Sequence, residues 1–182
     1  MKIFGIDPGS ERTGYGCIES SGSRHRLLTC GTLSAPPRST FPERLLVIHS
    51  GLRALLERHQ PDCVAVENIF FARNVRSALK LGHARGIALL AASQSGVPVV
   101  EYTPAEIKRS VVGYGRAEKQ QVQAMMKLLL GLDAVPSPHD VADALAVAIC
   151  HIHITTSATA RTASAHLAAA PRTARSWRQY RP

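Results

Sequence analysis

Apolar residues near the start of the chain recur at every second position, and further on at every third or fourth. Lys2–Ile6 is a short apolar run that ends at Asp7. Pro8, Gly9 and Ser10 then turn the chain, Gly14–Glu19 alternates, and Leu27–Leu33 reads as a third strand. These three segments predict an antiparallel meander. Pro36, Pro37 and Ser39 interrupt it, after which Leu45, Ile48, Leu52, Leu55 and Leu56 fall at helical spacing and predict a helix over Pro42–His59. Asp62–Val66 reads as a buried strand of the parallel type, ending at Glu67. A helix over Arg76–Ser95 leads to a strand over Val97–Tyr102, and Thr103, Pro104 and Glu106 form a helix start. Two more helices are predicted, over Ala117–Leu130 and from His139 to about His153. Strands of both kinds interleaved with helices imply an α/β domain whose mixed sheet is covered by helices.

Composition narrows the class. The chain has 182 residues, 45% of them hydrophobic, which suits one domain with a real core, or one domain and a tail. No apolar run reads as reaching the roughly 18–20 residues of a membrane span, and the N-terminus lacks a signal-peptide pattern. The expectation is a cytoplasmic protein without a membrane partner. Cys17, Cys30, Cys63 and Cys150 are widely spaced and read as free thiols of a reducing compartment. The net charge of +9 calls for a polyanionic partner, nucleic acid first. Past residue 155 there are five arginines, no acid and much Ala, Thr and Ser. Residues 155–182 are therefore expected to form a flexible basic tail, and 1–154 the domain.

The acids fall in telling places. Asp7 and Glu67 each end an apolar strand, at the edge where open α/β sheets build their sites. Asp140 and Asp143, three apart at a helix start, share one face. Each acid alone has an ordinary explanation: a strand-end Asp forms turns, and Asp140 suits a helix N-terminus. Glu67 resists that account, because the strand before it implies burial and buried charges need a partner. Four converging carboxylates would repel unless a cation sat among them, which points to Mg2+ or Mn2+. On a phosphate substrate such sites hold two ions, one for the attacking water and one for the leaving oxygen. His139, beside Asp140, is a candidate ligand, a proton donor, or simply a helix-start residue.

Between Glu67 and Glu101 the chain has no acid but carries Arg73, Arg76, Lys80, His83 and Arg85, just after Phe70 and Phe71. Lys108, Arg109, Arg116 and Lys119 form a second basic group. Both read as solvated faces or as phosphate-tracking surfaces, with Phe70 able to stack on bases.

Several motifs together resemble one family. G-I-D-P-G-S at 5–10, T-G-Y-G at 13–16, V-E-N-I-F-F at 66–71, S-A-L-K-L-G at 77–82, E-K-Q-Q-V-Q at 118–123 and D-V-A-D-A-L-A at 140–146 resemble RuvC, the bacterial crossover-junction endodeoxyribonuclease. The resemblance covers about 1–154. It implies an RNase H-like mixed five-stranded sheet flanked by helices, a homodimer, and Mg2+-dependent cleavage of four-way junction DNA alongside the RuvA–RuvB branch-migration complex. The family's four acidic positions fall on Asp7, Glu67, Asp140 and Asp143, its stacking aromatic on Phe70, and its catalytic lysines on Lys108 and Lys119. Some relatives carry His in the acidic set, which extends the metal role to His139.

Three rivals remain. The D-P-G-S turn also looks like the first phosphate loop of actin-like ATPases, but no second such loop follows. A non-catalytic basic DNA-binding module explains the charge and leaves Glu67 without a purpose. Another RNase H-like nuclease, acting on RNA–DNA hybrid, would share the acids.

Overall fold

The structure, a computed structural model, describes residues 1–68 and 74–169, with side chains through residue 158. Phe70 and Arg73 lie outside the described residues. Three strands open the chain, β1 (Lys2–Asp7), β2 (Thr13–Ser21) and β3 (Arg24–Leu33), followed by α1 (Phe41–His59), β4 (Cys63–Glu67), α2 (Val75–Gln94) and β5 (Val99–Tyr102). Three helices close it: α3 (Pro104–Val112), α4 (Lys119–Leu130) and α5 (His139–Ala169). The sheet order is β3-β2-β1-β4-β5, antiparallel across the meander and parallel from β1 to β4 and β5. This is the mixed five-stranded sheet that the pattern implied.

Alternation along the strands divides the core between the two faces. Phe4 and Ile6 of β1, with Val64 and Val66 of β4, pack under α1 and α2 against Ile48, Leu52, Leu56 and Ala88. Ile3 of β1 and Cys63 and Ala65 of β4 face the other way, into a cluster with Leu145, Ile149, Met126 and Ile107 from α5, α4 and α3. Each fully buried Ile or Leu contributes roughly 1.5–3 kcal/mol relative to exposure. Helix α5 lies close on the sheet because both surfaces are small there. Ala142, Ala144, Ala146 and Ala148 are fully buried. A Cβ on Gly5 would meet the Ala144 carbonyl oxygen at 2.0 Å, and one on Gly14 would meet that of Asp140 at 2.0 Å. Farther along α5, a 2.7 Å hydrogen bond between the Tyr102 hydroxyl and His151 Nδ1 ties the helix to β5.

Two expectations change. Helix α5 continues past His153 to Ala169, because the Ala-rich segment needs no apolar period to stay helical. The 154/155 boundary therefore falls within a helix. The same helix also holds a segment, His139–Ala158, long and apolar enough to cross a membrane by length and composition. No such run was expected. With 61% of it buried inside the fold, and acids at its head, its apolarity is that of a core helix.

Candidate active site

The strand parity that sorts the core also aims the acids. Ile3, Gly5 and Asp7 alternate onto the α5 face of β1, as Cys63, Ala65 and Glu67 do on β4. Ile6 pairs with Val66 in the parallel register, so Asp7 and Glu67 stand one step beyond, on strands roughly 4.8 Å apart. Helix α5 then starts over Gly14, with Asp140 in its first turn and Asp143 just beyond, both close enough to act on Asp7.

Their electrostatics follow from that crowding. Burial pushes the Asp7 carboxyl well above the usual aspartate range, and the charges of Glu67, Asp143 and Asp140 push it further. Burial also raises Glu67 and Asp143 adds to it, while a hydrogen bond from Asp7, Lys119 and Lys108 pull it back. Burial and the neighbouring carboxylates thus shift the Asp7 carboxyl towards its protonated form, hydrogen-bonded to Glu67. The other two acids have cationic partners. Lys119 Nζ donates to Asp143 Oδ2 at 3.2 Å. Burial disfavours the Lys119 ammonium, but Asp143 foremost, with Asp7 and Glu67, outweighs it and raises the pKa. Arg12 Nη1 lies 3.7 Å from Asp140 Oδ2. Lys108 lines a cavity of about 30 Å3 with Glu67, Asp143, Pro104, Ile107 and Val122.

Among the described residues no three His, Cys, Asp or Glu groups stand as a closed metal cage. The acids form an open nest, in which Lys119 partners Asp143 and Arg12 partners Asp140. The donor set nevertheless fits a hard divalent cation: every group is an oxygen donor, and the buried Asp7–Glu67 pair cannot ionise fully without added positive charge. The thiols do not compete for it, since burial pushes Cys17 and Cys150 up to about 11.

Not every candidate joins this nest. His139 is exposed at the head of α5, outside the contacts linking the four carboxyl groups. Arg76 is exposed at the start of α2, and Lys80 leans over the Phe41 ring at 5.8 Å. Arg85 pairs with Glu101 instead of standing free. Arg116 is exposed before α4. Two residues had no signal in the sequence. Arg12 is a lone arginine in a turn, and Asn68, next to Glu67, buries an Oδ1 without a hydrogen-bond partner among the described residues.

A mixed sheet of this order flanked by helices is of the RNase H-like class, and the carboxylates from two strand ends and a helix head, beside lysines, are its candidate nuclease site. The family model "Crossover junction endodeoxyribonuclease RuvC" matches residues 3–151. A protein of that name from Desulforamulus reducens is 55% identical over 151 residues, covering 83% of this chain and 93% of its own. The Thermus thermophilus RuvC structure superposes with a TM-score of 0.79 at 38% identity, over 87% of this chain and 98% of that one. T. thermophilus RuvC in complex with Holliday junction substrate gives 0.80 at 36% identity, with the same coverage. The chain belongs to the RuvC family and is a nuclease of its divalent-metal-dependent, resolvase type.

Proposed function

We propose that this protein resolves Holliday junctions by nicking two DNA strands symmetrically, in recombination and repair in the cytoplasm, alongside RuvA–RuvB. The observation that carries the reading is the convergence of Asp7, Glu67, Asp140 and Asp143, whose crowding adds to burial in raising the Asp7 carboxyl. Mg2+, two ions per site, is the cation these residues would hold, with Mn2+ as a substitute and His139 as a further ligand. When bound, the ions supply activation of water and stabilisation of the leaving oxygen. The chain's own residues do the rest. Asp7 and Glu67 offer their carboxyl groups from the two strand ends, and Asp140 and Asp143 close the nest from α5. Lys119, hydrogen-bonded to Asp143, and Lys108, lining the cavity beside Glu67, neutralise the charge that develops on the scissile phosphate. Phe70 stacks at the junction, while Arg73, Arg76, Lys80 and Arg116 follow the phosphates. Residues 1–154 form the nuclease domain, and the basic segment after it adds unspecific DNA affinity.

A four-way junction has two-fold symmetry and one chain supplies one acidic nest, which favours a C2 homodimer. The outward face of α2 supports this. Leu79 (60% exposed) and Leu90 (47%) flank Gly82 and Gly86 there, and with Leu45 of α1 they line an apolar groove of about 530 Å3. Exposed apolar ground of this kind marks an interaction surface, and the two glycines leave room for a second helix to approach.

The test is cleavage of a labelled four-way junction, a linear duplex and an RNA–DNA hybrid, each with Mg2+, Mn2+ or EDTA. Paired symmetric nicks in the junction alone are expected. Asp7→Asn should reduce them more than about a hundredfold while sparing junction binding. Junction binding without cutting would favour a binding module, and hybrid cutting would change the substrate.

A further inference from the structure

Four carboxylates facing a polyanion need cations that can reach the phosphate, and Lys108 and Lys119 are two of them. A third stands on the β1–β2 turn. That turn is fixed at several points. The Thr13 hydroxyl donates to the Gly9 carbonyl at 3.0 Å and accepts from the Gly9 N–H at 3.3 Å. Gly9 lies so near the end of the turn that a Cβ there would sit 2.1 Å from the Arg12 carbonyl oxygen. Glu11 is held by an ion pair to Arg44 of α1. The backbone of Arg12 is thereby set, and the contact of Gly14 with the Asp140 backbone brings it beside the head of α5. Only the guanidinium is left to move.

Its present partner holds it loosely. At 3.7 Å from Asp140 Oδ2 it is an ion pair without a hydrogen bond, and the Arg12 side chain is 49% exposed. Exposed pairs of this kind contribute little to stability, so exchanging one partner for another costs little. A phosphate offers the guanidinium the same charge and a better fit to its planar fork of donors. Lys108 comes from α3, Lys119 from α4 and Arg12 from the β1–β2 turn. A phosphate lying over the acids would therefore meet cations from three separate elements.

We infer that Arg12 is a phosphate-binding residue of this site, resting on Asp140 while DNA is absent and turning to the backbone of the strand that lies over the acids. This rests on the junction reading above. The experiment measures junction binding by fluorescence anisotropy in EDTA, across a salt series, with the full chain. Arg12→Ala should weaken binding about three- to tenfold and lower the slope of log K against log salt by about 1. Arg12→Lys should keep most of the slope. The same loss should appear when Arg12→Ala is made in an Asp140→Asn background. If the loss vanishes in that background, Arg12 serves only to neutralise Asp140 and the inference falls. Unchanged affinity and slope in Arg12→Ala would also overturn it. Arg53→Ala, a charge removed from the far part of α1 where Arg53 pairs with Glu57, should leave the slope unchanged, and an equal drop there would sink the assignment. Failure of the unaltered chain to prefer the junction over a linear duplex would instead remove the junction reading.

Discussion

The raised Asp7 carboxyl makes the stability of the metal-free protein depend on pH. In the folded chain burial raises Asp7, and Glu67 with it, so the pair retains a proton that the unfolded chain releases in the ordinary carboxylate range. A group whose pKa rises on folding stabilises fully below its unfolded value, and that benefit is lost as pH climbs through the folded value. His25, His59 and His151, held down first of all by burial, act in the opposite sense in an overlapping window. The telling quantity is therefore the difference between two proteins. In EDTA, Asp7→Asn should melt higher than the parent, by a margin that widens as pH rises above the ordinary carboxylate range. Calorimetry giving parallel curves would exclude a raised Asp7 carboxyl. The acids were legible because each ends an apolar segment or heads a helix. Arg12 was not, because only the folded turn brings it to Asp140. Neither was the crowding that raises Asp7 and Glu67 together, which depends on register between strands sixty residues apart.

Helix α5 shows what an element's sequence conveys and what it omits. Its start and its buried face were legible from His139, Asp140 and the apolar run that follows. Its length was not, since alanine, threonine and serine signal a tail as readily as they continue a helix. The close seating of α5 was written in glycines on another element. Gly14→Ala would place a methyl group 2.0 Å from the Asp140 carbonyl oxygen. Forcing that contact should destabilise the fold by about 1–3 kcal/mol in a urea titration. Cleavage should fall further than stability, because the displaced turn carries Asp140 and Asp143. A Gly14→Ala protein that was both stable and fully active would mean that α5 tolerates a wider seat than its packing indicates.

For the whole molecule, the outward face of α2 lies on the side of the sheet away from α5, so pairing through it would leave each acidic nest open to its own strand. Leu79→Glu places a charge in the middle of that face. Sedimentation should then find monomers that still bind a junction but no longer make two nicks in one encounter, whereas an intact dimer would place the interface elsewhere. Chain order has its own consequence. The nest needs Asp7 from the first strand and Asp140 and Asp143 from the last helix, and contacts so distant in sequence close late in folding. During synthesis, a chain released before α5 emerges has half its acids and an uncovered sheet. On the proposed site, cutting power would arrive only with a finished fold.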